Sequence, residues 1–260
     1  MVLLFSPSIS SGQDIEGPRS LGLGSAFTAI ADNTDAVRIN PAGIALNRVY
    51  IMSLSSTRIK DGASSYNATI VDYQTTELPV GISYTRETTA GIKNDYGIIS
   101  LAERYGNVLI GISGKYFSQE SNTKESDFSY DAGVLIRGSD MFSIGLAAKN
   151  LERTKFASIH KEYTAGIAFR PVDILKLSGD YTKDNDATGK DYIAAAGIEF
   201  AVKKDVLIRG GYTDNSISSS EYYSAGLTLA SPSMNLEYGY RWNKNESGDN
   251  MQAISIQMKL

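Results

Sequence analysis

The feature that most constrains this chain is an alternation of apolar and polar side chains, repeated in short blocks from Val49 to the last residue. At the C-terminus Ile254, Ile256, Met258 and Leu260 fall on one parity, and Ala253, Ser255, Gln257 and Lys259 on the other. Met234, Leu236, Tyr238, Tyr240 and Trp242 oppose Asn235, Glu237, Gly239 and Arg241 in the same way. Val108, Ile110 and Ile112 oppose Asn107, Gly111 and Ser113, and Phe142, Ile144 and Leu146 oppose Ser143, Gly145 and Ala147. A period of two belongs to strands, whose successive side chains leave on opposite faces. Clusters of Gly, Asn, Asp, Ser and Pro bound the blocks, as turns require. About fourteen blocks fit, centred near Met52, Ala68, Ile82, Ile99, Ile110, Val134, Ile144, Ile167, Leu177, Ala196, Ile208, Leu227, Leu236 and Ile256.

No run of apolar residues is long enough for a membrane-crossing helix, but roughly 9–11 residues suffice for a tilted strand. From the second block onward the connections are expected to alternate in length. Short ones centre on Thr75-Thr76-Glu77, Tyr105-Gly106-Asn107, Gly138-Ser139-Asp140, Pro171-Val172-Asp173, Lys203-Lys204-Asp205 and Ser231-Pro232-Ser233. Long ones are read over residues 86–95, 118–126, 152–162, 183–191, 213–221 and 243–250. Short turns on one rim and longer loops on the other are what outer-membrane barrels show. The expected fold is therefore all-β: a closed antiparallel up-and-down transmembrane β-barrel of about fourteen strands over residues 48–260.

Two further patterns fit this architecture. Strands leaving a long loop often read Tyr-x-Ala-Gly-apolar, as at Tyr130-Asp131-Ala132-Gly133-Val134, Tyr163-Thr164-Ala165-Gly166-Ile167 and Tyr223-Ser224-Ala225-Gly226-Leu227, with Ala195-Ala196-Gly197-Ile198 as a variant. A repeat holding two strands suits a meander better than a four-stranded propeller blade. Tyr84, Tyr96, Tyr116, Tyr130, Tyr163, Tyr181, Tyr192, Tyr212, Tyr223, Tyr240 and Trp242 collect near the long-loop ends of their strands. Such rings bury an apolar body while keeping a polar tip wet, which predicts an interfacial girdle. Phe142, Phe169 and Phe200 form a thinner set toward the short turns.

The faces opposite the apolar ones carry Lys115, Asp131, Arg137, Lys149, Arg170, Lys176, Asp180, Glu199, Arg209, Glu237 and Arg241. A lipid-facing Arg or Lys costs roughly 2–4 kcal/mol at mid-membrane, so these charges are expected to line the lumen. Their mixed signs predict pairing with one another or with a filling segment. A net charge of −4 argues against a nucleic-acid partner. The absence of cysteine and the presence of one histidine, His160, exclude thiolate and multi-histidine metal centres. No cofactor is expected. His160 stands in a long loop beside Lys161 and Glu162 and reads as a solvated residue rather than the base of a hydrolase, so no enzyme activity is expected.

Before the first strand the alternation lapses. Residues 1–12 read as the remainder of a secretory signal peptide, apolar Val2-Leu3-Leu4-Phe5 being followed by small residues. Residues 13–47 read as a helical or irregular plug, rich in small residues. Asn40-Pro41 is a helix start, with Asn capping free N–H groups and Pro at the first helical position. Gly22-Leu23-Gly24 lacks the third glycine, the lysine and the preceding strand of a phosphate loop.

Leu21, Gly22, Gly24, Ala26, Phe27, then Ala29, Ala31, Asp32, then Asn40, Pro41, Ala42 and Gly43 resemble the N-terminal signature of the outer-membrane fatty-acid transporter (FadL-like) superfamily, and more closely its PorV/PorQ-type members. The resemblance implies a fourteen-stranded, Gram-negative outer-membrane barrel plugged by its N-terminal segment, with Phe27, Asp32, Arg38, Asn40 and Pro41 as ligand or plug residues. It implies passage or binding of a small hydrophobic or amphipathic molecule. The PorV-type likeness implies an alternative, a docking component of a protein secretion or surface-attachment system. The partners expected are thus outer-membrane lipid with either a hydrophobic small molecule or secretion-system proteins. The long loops are shorter than those that catch lipid in true fatty-acid transporters, and Arg38 and Ile39 replace the aromatic residues common before Asn-Pro.

Overall fold

The computed structural model describes residues 16–260 apart from positions 61, 122, 157–158, 188–189 and 246–248. The signal-peptide reading of residues 1–12, and the first three residues of the 13–47 segment, lie outside the described residues. Fourteen strands follow one another: β1 (Tyr50–Ile59), β2 (Ser64–Asp72), β3 (Val80–Thr89), β4 (Ile92–Tyr105), β5 (Val108–Glu120), β6 (Lys124–Arg137) and β7 (Phe142–Lys149). The second half comprises β8 (Glu162–Val172), β9 (Leu175–Asp184), β10 (Tyr192–Lys203), β11 (Val206–Asn215), β12 (Ser220–Ala230), β13 (Met234–Asn243) and β14 (Met251–Lys259). Every block centre read from the sequence falls within its own strand. Each strand pairs antiparallel with the next, and β1 closes on β14 with Leu54 opposite Ile256. Closure leaves no edge strand, the condition for a sheet to cross hydrocarbon.

The two parities sort as membrane solvent demands. On the outer face Ile99, Ile112 and Ile167 are 60%, 63% and 57% exposed, while the inward Ser100, Ser113, Ser129 and Asp131 are buried. This inverts a water-soluble protein, which hides its large aliphatic residues and does not wear them as a continuous band. The aromatic girdle is present as a chain of ring contacts: Tyr181 on Tyr192 at 5.8 Å, Tyr212 on Tyr223 at 5.6 Å, and Tyr223 and Tyr240 on Trp242 at 6.0 and 5.9 Å. Phe142, Phe169 and Phe200 face outward near the other rim. Tyr96 departs from the expected girdle. It lies opposite Thr85, whose side chain is buried inside, and so points into the lumen, edge-on to Phe117 at 5.7 Å.

The expected long loops at 86–95, 118–126 and 213–221 are mostly strand instead, because β3 to β6, β11 and β12 extend into them. β3 and β4 continue their ladder from Arg86–Asp95 to Thr89–Ile92, turning on Ala90-Gly91 with φ of 48° and 83°. Two adjacent positive φ values make the mirror-image turn whose twist suits a tight hairpin. Paired charges, not turn residues, gave that stretch its polarity: Arg86 Nε donates to Asp95 at 2.8 Å. The alternation of connection lengths is accordingly confined to the part of the barrel after β6.

β7 has only 8 residues against 14 in its neighbour β6, so their ladder stops at Ala132–Ala148. Asn150, with φ 53°, turns the chain off the wall. Individual hydrogen bonds then replace the ladder: Leu151 N–H to the Tyr130 carbonyl at 2.9 Å and Lys155 N–H to Asp127 at 2.8 Å. The connection folds back so that Phe156 and Ile159 are buried on Phe117, with Tyr96 packed alongside.

Residues 16–47 run inside the barrel. They form α1 (Pro18–Gly22), α2 (Ala36–Ile39) and a 3-10 turn (Pro41–Ala45). The helix start read at Asn40-Pro41 is thus a tighter turn than an α-helix, though Asn40 caps it as expected, accepting from the Ala42 N–H at 3.2 Å. Leu21, Leu23, Phe27, Val37 and Ala42 are fully buried, in clusters completed by wall residues such as Leu109, Leu135, Ala168 and Met251.

Candidate functional site

The inner segment carries few large side chains and is held by backbone contact, which requires a wall without Cβ atoms where it touches. The repeat glycines supply that wall. A Cβ at Gly197 would stand 2.6 Å from the Leu23 carbonyl, and one at Gly226 would stand 3.2 Å from Gly22 Cα. At Gly133 it would overlap the Asn40 amide, at Gly145 the Thr28 carbonyl and at Gly111 the Pro41–Ala42 peptide, all under the 3.0 Å that real Cβ contacts respect. Gly24 completes the seat from the other side, with φ 63° and a backbone against which a Cβ would stand 2.7 Å from the Tyr212 nitrogen.

Three polar clamps fix the segment. Arg19 donates to both oxygens of Glu199 on β10, from Nε at 2.9 Å and Nη2 at 3.0 Å, and its remaining fork meets Asp32. Arg209 Nε donates to Glu199 at 2.7 Å, and Lys176 Nζ lies 3.4 Å from Asp32 and 3.6 Å from Glu199. Burial penalises the charge on Asp32, but Arg19 and Lys176 outweigh it and hold the carboxyl below its usual range. The second clamp is Asp180 on β9, which accepts the Phe27 N–H at 3.0 Å and the Thr28 N–H at 2.8 Å. The third is Asn40, whose Nδ2 donates to the Thr28 carbonyl at 3.0 Å and to the Val134 carbonyl of β6 at 3.2 Å. Arg19 also lies over the Phe27 ring at 5.4 Å.

All eleven charged wall residues read from the sequence occupy inward positions, but only some join the inner segment. Lys176, Asp180 and Glu199 do, and Arg209 is linked to it only through Glu199. Glu237 accepts from Thr228 and Ser255, each at 3.3 Å. Lys115 pairs with Asp131 at 3.2 Å and donates to Asn150 at 2.8 Å, in the outer lumen. Arg137 reaches Asp140 at 3.4 Å. Arg241 stacks over Tyr222 at 4.6 Å. Lys149 and Arg170 have no ion pair among the described residues. Within the segment, Phe27 and Pro41 are packing residues, and Arg38 pairs locally with Asp35 at 2.6 Å.

His160 differs from the solvated residue expected. Its Nδ1 lies 2.5 Å from Asp184, and its carbonyl accepts from Asn150 Nδ2 at 2.7 Å, so it ties the inward-folded connection to β9. Arg19 lies within the segment read as a plug, but its pairing with Glu199 is not apparent from the sequence. Its signal was its isolation, a lone basic residue inside a stretch of small and apolar ones. Among the described residues no group of three or more His, Asp or Glu is placed to hold a metal.

The strands form a closed fourteen-stranded antiparallel barrel whose lumen is filled by the chain's own N-terminal segment. No family model and no curated protein matches the chain. Among solved structures it is similar to the Ralstonia pickettii toluene transporter TbuX, with a TM-score of 0.69 and 11% identity over 97% of this chain and 98% of that one. The monoaromatic hydrocarbon channel CymD gives 0.72 and 12% over 94% and 97%. A Pseudomonas aeruginosa FadL homologue gives 0.64 and 11% over 94% and 98%. At such identities the likeness is one of fold.

Proposed function

We propose that this protein is a bacterial outer-membrane barrel that binds or passes a small hydrophobic or amphipathic molecule, with residues 13–47 acting as its plug and residues 1–12 as the remainder of an export signal. The observation that carries the reading is the segment clamped across the lumen by Arg19 on Glu199, within a fold shared with hydrocarbon transporters. The segment fills the lumen with fully buried residues such as Leu21, Leu23 and Phe27, which argues against a general porin. The short turns then face the periplasm and the girdled rim faces outward. Uptake of radiolabelled toluene by proteoliposomes, compared with a hydrophilic sugar, tests it. Protein-dependent entry of toluene alone supports the reading, and equal or absent entry of both contradicts it.

A second reading is a docking component of a secretion or surface-attachment system, related to PorV-type proteins. The tight Ala90-Gly91 hairpin and the inward-folded connection after β7 favour it, because they leave little external loop to collect a hydrophobic solute. Cross-linking in intact outer membranes discriminates the two: reproducible capture of a secretion protein supports docking.

A further inference from the structure

Below the inner segment, at the short-turn rim, the lumen keeps a cavity of about 230 Å³ bounded by the inward faces of β6 to β9. Its apolar lining includes Ile30 and Leu46 of the inner segment and Leu135 of β6. Three cations converge on it at inward positions, Arg137, Arg170 and Lys176. The two carboxylates present are engaged, Asp32 by Arg19 and Lys176, and Asp140 by Arg137. Arg170 is half-buried and has no ion pair among the described residues. A bulge in the β8–β9 ladder between Phe169 and Val172 sets the backbone at this position.

A guanidinium without a partner, beside an apolar wall, is a receptor for a planar anion, since its fork matches the two oxygens of a carboxylate. The volume lies below the roughly 300–1,000 Å³ of pockets that enclose drug-sized ligands, so the occupant is small. We propose that this cavity is a binding site for a small organic carboxylate, one carboxylate on a ring or short chain, held by Arg170 with Arg137 beside it and resting on Ile30, Leu46 and Leu135. The site opens toward the short turns and is reached from that side of the membrane. It stands apart from the transport reading. A barrel that passes toluene but binds no carboxylate here overturns this inference alone.

Titration calorimetry on the purified full chain in detergent, with benzoate as probe and toluene as its uncharged counterpart, tests the site. Saturable benzoate binding is expected, weakened about tenfold or more by Arg170→Ala, as loss of a charge-assisted contact implies. Arg170→Gln should weaken it similarly, with heat-modifiable gel migration showing that both variants fold. Arg86→Ala, on the opposite rim, should bind as the native chain does. Absence of saturable binding, native affinity in both Arg170 variants, or displacement of benzoate by equimolar toluene would each overturn the proposal.

Discussion

Arg19 and Glu199 stand 180 positions apart in sequence and are joined by two hydrogen bonds of 2.9 and 3.0 Å inside the barrel. The contact ties the first turn of α1 to the wall. Glu199 is 5% exposed, so its charge depends on these cations. Removing one partner of a buried pair strands the other and costs about 3 kcal/mol or more. Arg19→Ala should therefore loosen the inner segment, read as lost hydrogen-exchange protection over residues 18–30. Arg19→Lys should restore only part of it, because an ammonium lacks the fork.

Acid should loosen the same clamp. The folded pKa of Asp32 is depressed, so its contribution is present above the unfolded value of about 3.9 and is lost as pH falls through the lower, folded one. Protection of the inner segment, relative to the intrinsic exchange rate at each pH, should fall below about pH 4. In Asp32→Asn that acid limb should shrink, and an unaltered profile would remove Asp32 from the account.

The glycine seat yields a paired test. Gly145→Ala puts a methyl into the Thr28 carbonyl, and overpacking of this kind costs about 1–3 kcal/mol. Gly114→Ala, whose Cβ meets nothing within 4 Å, should stay within about 0.5 kcal/mol of the native chain. Denaturant midpoints of the detergent-folded barrels would measure both.

Asn150 joins Lys115, Asp131 and the His160 carbonyl, with bonds of 2.7 to 2.8 Å. Asn150→Ala should release the connection between β7 and β8, giving faster proteolysis within residues 150–161 while the barrel keeps its heat-modifiable migration. Unchanged cleavage would show that Phe156 and Ile159 hold the connection unaided.

The barrel was legible because each strand carries its own evidence. The parity of Ile254, Ile256 and Met258 marks β14 without reference to any other strand, and all fourteen centres follow from the same rule. Loop boundaries were not, because Arg86 and Asp95 look like loop residues singly and become strand residues only as a pair. Tyr96 misled for a related reason: its place along the strand predicts a girdle, but its parity sends it inside. The repeat glycines were visible at Gly133, Gly166, Gly197 and Gly226, yet their purpose was not, since it depends on what presses against them. Nothing local in Arg19 names Glu199. Contacts across the lumen depend on barrel closure and register, which no single block encodes.

Single-channel recording in planar bilayers, comparing the full chain with a barrel lacking residues 16–47, tests most directly the claim that the inner segment closes the lumen. The full chain should show no steady ionic conductance, and the truncated barrel should open in sustained, porin-like steps. Equal conductance in the two, open or shut, would contradict the account.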